Sequence, residues 1–261
     1  MKTKHDLVNG ASVLVTAGAG GAGLVIAQRF AAQGAQVAVC DIDGAAIEAL
    51  ETNAPDVTGY EADAANEAEV DSIFSDLEAR GRPVDVVVNN VGIAGPTAAV
   101  EDIAIQDWER SLEVNLTSFF LTIRRATPVM KARGCGAIVN ISSASVRTGL
   151  PMRLPYVVTK SAVLSMTKNL ARELGPHGLR VNAILPGAMR GARIRKVIEE
   201  KASALNKTVE EYEATLLRYV SLRTMVDPED IADMAVYLAS AQGARITGQL
   251  IGVDGNSEYE E

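Results

Sequence analysis

The chain has 261 residues, of which 48% are hydrophobic and 22% charged, and it carries a formal net charge of −8. That is the composition of a globular protein with a sizeable core, which excludes a fibre and a disordered chain. The acidic balance excludes the basic stripe that nucleic-acid binding requires, so no nucleic-acid partner is expected.

Residues 1–10 are polar and charged with no apolar run, so no secretion signal is read there. No stretch is long and apolar enough for a bilayer, and a cytoplasmic protein without a membrane partner is expected. Cys40 and Cys135 read as two thiols in a reducing compartment. His5 and His177 have no ligand spacing around them, so no metal is expected.

From there the chain repeats one rhythm: a short β-rich run, a turn, an amphipathic helix. The pattern predicts buried strands over 12–16, 36–40, 57–60, 84–89, 137–141, 180–185 and 249–253. Helical spacing predicts helices over 23–33, 44–53, 67–80, 107–133, 155–175 and 228–240. Asp227-Pro228 opens the last of these and Gly175-Pro176 closes the one before it. Near-continuous apolar strands such as 84–88 suit a parallel sheet covered on both faces. The expected fold is therefore α/β: a doubly wound parallel sheet of the Rossmann type, about seven strands with helices on both faces. No repeat or linker divides the chain, so residues 1–261 read as one dinucleotide-binding catalytic domain. One segment, about 188–220, breaks the rhythm with charged helical pattern and no strand. After a late strand of such a sheet it is expected to cover the substrate.

The first strand runs into Thr16-Ala17-Gly18-Ala19-Gly20-Gly21-Ala22-Gly23 before a helix. Small residues at Gly18, Gly21, Ala22 and Gly23 let the backbone approach a diphosphate, and the helix N-terminus offers it N–H groups and a positive dipole end. The second strand ends in Asp41, 18 residues after Gly23. A carboxylate there accepts from a ribose 2′-hydroxyl and repels a 2′-phosphate, which points to NAD over NADP. No Arg or Lys lies within 34–44 to greet a phosphate. Tyr156 and Lys160, four apart on a helix, share a face. An ammonium beside a phenol favours its ionised form, and such a pair exchanges the proton that accompanies hydride transfer. Ser143, just after a strand, is placed to hydrogen-bond the substrate oxygen.

Over roughly 11–255 the chain resembles the short-chain dehydrogenase/reductase family. The family's T-G-x-x-x-G-x-G turn is matched at Thr16 to Gly23, and its N-N-A-G by Asn89-Asn90-Val91-Gly92. Its V-N motif falls at Val114-Asn115, its I-S-S at Ile141-Ser142-Ser143, and its Y-x-x-x-K at Tyr156 and Lys160. Its R-V-N-x-I-x-P-G runs from Arg180 to Gly187, and its closing I-T-G-Q and V-D-G fall at 246–249 and 253–255.

The resemblance implies that Tyr156 is the acid/base and that Lys160 assists it and holds the nicotinamide ribose. It implies that Ser143 polarises the reacting oxygen and that Asn115 holds a proton-relaying water. It places Asp63 and Ala64 at the adenine, Asn90 against the cofactor, and the backbone near Met189 at the nicotinamide amide. It also implies a homo-oligomer, a tetramer or dimer, with the apolar segments 232–238 and 246–253 as the expected contact.

Four positions depart from the family pattern, the least of them Asn256, where the closing motif has a second glycine. Ala17 stands where the turn has its first glycine, and a local shift of the turn is expected. Val91 replaces an alanine, which is expected to crowd the floor of the cofactor site, and Gly191 replaces a threonine, so that either the carboxamide finds another partner or the lid closes differently. The stretch Met189 to Lys196 is basic for so acidic a chain. Two readings stay open: Arg190 or Arg193 meets an anionic substrate group, or the run is a solvated face paired with Glu199 and Glu200. Only 4% of residues are aromatic, which favours a small polar alcohol, whether sugar, polyol or hydroxy acid. The leading expectation is an NAD-dependent enzyme interconverting a secondary alcohol and its ketone. The alternatives are a 3-oxoacyl-thioester ketoreductase and, from another class, a non-catalytic dinucleotide sensor or scaffold.

Overall fold

Val13 to Val15, Val37 to Val39 and Val86 to Val88 are fully buried, so each needs apolar cover on both of its faces. The computed structural model describes residues 7–257 and omits the side chains of Arg193 and Ala204. His5 and the Arg193 side chain therefore lie outside the described residues.

The strands are β1 (Ser12–Thr16), β2 (Gln36–Asp41), β3 (Val57–Glu61), β4 (Val86–Asn89), β5 (Gly136–Ile141), β6 (Leu179–Pro186) and β7 (Leu250–Val253). They form one parallel sheet in the order β3-β2-β1-β4-β5-β6-β7. The order reverses between β1 and β4. In an open α/β sheet this switch point leaves a crevice at the carboxyl ends of the strands, where ligands bind.

Alternate residues of each strand face opposite layers. Val13, Val15, Val37 and Val39 pack with Ile26, Phe30, Ile231 and Leu238, from α1 (Gly21–Ala32) and α10 (Pro228–Ala239). Leu14, Ala38, Val87 and Ile138 pack on the other face with Phe74, Leu77, Met130 and Leu174. These belong to α3 (Glu67–Ala79), α5 (Ser118–Arg133) and α7 (Leu154–Leu174). Between β2 and β3, α2 (Gly44–Asn53) starts at an Asp43 cap whose carboxylate accepts from Ala46 N.

Three features differ from the sequence expectation. β4 begins at Val86 rather than 84, because Asp85 is diverted: its backbone N donates to Ser12 O and its carboxylate accepts from Ser12 N at 3.0 Å. The single helix read over 107–133 is broken into α4 (Ile105–Leu112), a π turn (Glu113–Thr117) and α5. The cause is Asn115, whose side chain bonds a distant loop. A one-turn α6 (Ser145–Thr148) also follows β5.

The segment after β6 carries α8 (Ala192–Ala204) and α9 (Val209–Leu217), the latter started by a capping box between Thr208 and Glu211. Of α10, Ile231, Ala232, Ala235 and Leu238 are buried within the chain, Met234 and Val236 are half-buried and Tyr237 is exposed. A surface groove of about 530 Å³ lies between α5 and α7, lined by Phe120, Ile123, Met166 and Leu170 among others. It contains none of the expected site residues.

Candidate active site

The glycine turn follows β1 at the switch point. Ala17 takes a left-handed conformation, φ +49°, which costs an L residue with a Cβ about 1–2 kcal/mol. This is backbone that glycine takes freely, and the added methyl is tolerated under strain. Two glycines are dictated by space. A Cβ on Gly23 would fall 2.0 Å from the Ala17 carbonyl oxygen, and one on Gly18 would fall 2.6 Å from Val39. At Gly20 and Gly21, by contrast, nothing lies within 4 Å of that position. No side chain caps α1, so its first N–H groups face an open cradle that fits a diphosphate.

The fully buried Thr16 fastens β1 to β4. Its hydroxyl accepts from Asn90 N at 3.0 Å and Val91 N at 3.1 Å. The Asn90 amide donates to the carbonyls of Thr16 and Ala17 at 3.2 and 3.1 Å, so Asn90 supports the turn from below.

At the end of β2, the half-buried Asp41 accepts from Ala19 N and from Asp43 N, both at 3.2 Å. Its register partner on β3 is Glu61, whose carboxylate reaches within 2.7 Å of where a Gly44 Cβ would stand. Two acids thus sit side by side at neighbouring strand ends. Further along, Asp63 accepts from Ala65 N at 2.8 Å and meets Arg110 at 3.5 Å, while Ala64 is buried. The nearby Cys40 thiol is pushed up to about 12 by burial, so it stays protonated.

Across the crevice, β5 and α7 are locked together. Ser142 Oγ donates to the Lys160 carbonyl at 2.8 Å, and Lys160 Nζ donates to the Ile141 carbonyl at 2.9 Å. Lys160 is buried with its ammonium over the Phe119 ring. From the π turn, buried Asn115 accepts from Ile93 N at 2.7 Å and donates to Ile93 O at 3.0 Å and Thr159 Oγ1 at 3.1 Å. Gly92 joins the two, since a Cβ there would be 3.1 Å from Lys160 Nζ and 3.4 Å from Asn115 Oδ1. Tyr156 lies one turn before Lys160 on α7. Ser143, just beyond β5, shares a 2.9 Å hydrogen bond with the Ser145 hydroxyl.

Of the basic stretch, Arg190 is committed to Asp227 at 3.0 Å and Thr224 at 3.2 Å. Arg195 pairs with Glu199 and Lys196 with Glu200, as the solvated-face reading has it. Met189 is half-buried and bridges to Val226. Gly191 sits at φ +150° as the cap of α8, outside the range a threonine adopts readily.

Sequence reasoning missed Arg153. Its guanidinium carbon lies 6.0 Å from the centre of the Tyr156 ring, and Nη1 donates to Thr97 at 2.9 Å. Its place three residues before Tyr156 is the signal that identifies it. Among the described residues no group of three or more His, Cys, Asp or Glu is placed to hold a metal ion. Nor is any helix among them long and apolar enough to cross a membrane.

Residues 17–256 match a family profile described as Enoyl-(Acyl carrier protein) reductase. The chain is 32% identical over 253 residues to the D-beta-hydroxybutyrate dehydrogenase of Rhizobium meliloti (strain 1021), covering 94% of this chain and 97% of that protein. The crystal structure of an NAD+-bound xylitol dehydrogenase is similar with a TM-score of 0.87 at 28% identity, covering 95% of this chain and 99% of that one. That of an actinorhodin polyketide ketoreductase with NADPH has a TM-score of 0.89 at 29% identity, covering 99% and 100%. One of these neighbours holds NAD and the other NADPH.

Proposed function

The chain belongs to the short-chain dehydrogenase/reductase family and is an oxidoreductase of hydroxyl and keto groups, and within that family we propose an NAD-dependent dehydrogenase that interconverts a secondary alcohol and its ketone. The convergence of Asn115, Lys160 and Gly92 on the helix that carries Tyr156 is the observation on which this rests.

Bound NAD supplies the hydride acceptor. Gly18 and the Gly21-Ala22-Gly23 turn hold its diphosphate at the α1 N-terminus. Asp41 takes the ribose hydroxyls and, with Glu61 beside it, repels a 2′-phosphate. Asp63 and Ala64 border the adenine, Asn90 supports the floor, and the Met189 backbone meets the carboxamide. Tyr156 takes the alcohol proton as hydride leaves the carbinol carbon. Lys160 stabilises the negative charge that develops on the phenol oxygen and holds the nicotinamide ribose. Ser143 orients the reacting oxygen. Both N–H groups of the Asn115 amide are taken by Ile93 and Thr159 and its oxygen accepts from Ile93 N, so a relaying water binds its main-chain carbonyl, at a π turn where the ordinary helix ladder is interrupted.

The substrate is a small polar alcohol. The Arg153 guanidinium, which donates to Thr97, stands beside the Tyr156 ring. A positive charge at that place favours a hydroxy acid over a neutral sugar or polyol, because it attracts a carboxylate. Within a single domain, the segment at about 188–220 covers that substrate. The protein works in the cytoplasm, where its free Cys40 and Cys135 stay reduced. It assembles as a homo-oligomer, a dimer or tetramer, for which the α5–α7 groove is an available face.

A second reading is a ketoreductase of 3-oxoacyl thioesters, favoured by the likeness to the polyketide enzyme. Initial rates with NADH and NADPH separate the two, because the thioester reading expects NADPH. The direct test is NAD reduction across sugars, polyols and hydroxy acids. Tyr156→Phe should lower turnover by roughly 10²–10⁴-fold with NAD binding intact; near-native turnover of that variant would refute the acid/base assignment.

A further inference from the structure

We propose that Arg147 and Asp254 are a positioning pair that fixes the turn carrying Ser143, an inference that rests on reading Ser143 as the group that orients the substrate oxygen. Ser143 opens a short excursion, α6, that is only one helical turn long. One turn of helix does not hold itself, since nucleation costs more than a single backbone bond returns. It must be pinned from outside.

At its start, the Ser143 hydroxyl bonds Ser145 Oγ at 2.9 Å and accepts from Ser145 N at 3.3 Å. Ala144 N donates to the Pro186 carbonyl at 2.9 Å. At its end, Arg147 Nη1 meets Asp254 Oδ2 at 2.8 Å across 107 residues of chain. The Asp254 side chain is 5% exposed and that of Arg147 44%, so the carboxylate is nearly buried with this guanidinium as its charge partner. Removing the arginine would leave that charge uncompensated.

The surroundings are shaped to admit the pair. A Cβ on Gly252 would lie 2.6 Å from Arg147 Nη2, so the guanidinium lies against bare backbone of β7. A Cβ on Gly187 would lie 2.8 Å from the Asp254 Cα, which presses Asp254 against the end of β6. Asp254 Oδ1 accepts from Asn256 N at 3.0 Å. The same tail pairs with the end of the covering segment, through Ser221 N to Asn256 O at 3.0 Å and Leu222 N to Gly255 O at 3.1 Å. The pair therefore joins the serine turn to the base of the segment that overlies the substrate.

The test is a double-mutant cycle in the full chain, with Ser143→Ala, Arg147→Met and their combination. Arg147→Met should lower kcat about tenfold, a barrier change near 1.4 kcal/mol, with KM for NAD unchanged. In the Ser143→Ala background the same change should cost less than about twofold, because the effect passes through the serine. Asp254→Asn should behave alike, and Arg147→Lys should recover part of the loss. Equal losses in both backgrounds, or no loss, would overturn the proposal. Amide hydrogen exchange over 144–149 gives an answer that needs no substrate: protection should fall in Arg147→Met and in Asp254→Asn, and unchanged protection in both refutes the pair. Loss of protection combined with a Tyr156→Phe variant that still turns over would leave the pair standing and remove the reading of the site.

Discussion

The two ends of the crevice are built differently. Around the glycine turn, side chains from β1, β2 and the end of β4 pin backbone groups in part-buried contacts: Thr16 on Asn90 and Val91, Asn90 on Ala17, Asp41 on Ala19. In the 188–220 segment, α9 has no buried residue and α8 buries Ile198 and Ala202 but presents its charges to solvent. That segment is attached at a few points, among them Val226 N to Ala188 O and Arg190 to Asp227. A dinucleotide is the same molecule from one enzyme to the next, and a mould of pinned backbone serves it. A substrate varies between enzymes of one family, and a surface helix hung on a few polar bonds can change without disturbing the sheet.

Four substitutions break or sharpen this contrast. Gly23→Ala should be the most damaging, because its methyl meets the Ala17 carbonyl oxygen, which the Asn90 amide holds in place. NAD affinity should fall about 100-fold and stability by about 3 kcal/mol, read by calorimetric titration and urea unfolding; a well-folded variant of normal affinity would show the mould to be soft. Asp41→Ala should cut the preference for NAD over NADP about tenfold in initial rates, leaving Glu61 to sustain the remainder, and an unchanged ratio would remove the cofactor argument. Ala17→Gly should gain about 1 kcal/mol by releasing the strain at φ +49°. A lower urea midpoint would mean that the methyl contributes packing instead. Arg190→Ala, in the covering segment, should change stability by less than about 1 kcal/mol, because both partners are half exposed. A larger loss would make that segment part of the core.

Most of the frame was legible because its cause is local. Strands with both faces buried are apolar throughout, and α2 runs over 44–53 as read because Asp43 caps it. The glycine turn and the Tyr156–Lys160 spacing are equally local. What escaped is set by partners far away in the chain. Nothing near Asn115 announces that Ile93 and Thr159 will hold it and widen the helix there. Nothing near Arg147 points to Asp254, nor near Arg190 to Asp227. The apolarity of α10 was legible, but which of its side chains turn in against α1 depends on how the layers stack.

The Thr16 hydroxyl has a consequence for how anything enters and leaves the crevice. With one oxygen taking both Asn90 N and Val91 N, the two halves of the sheet are pinned to each other at the switch point. Ligand entry is therefore expected to loosen the opposite bank first, where the tail and the 188–226 stretch are joined by single backbone bonds.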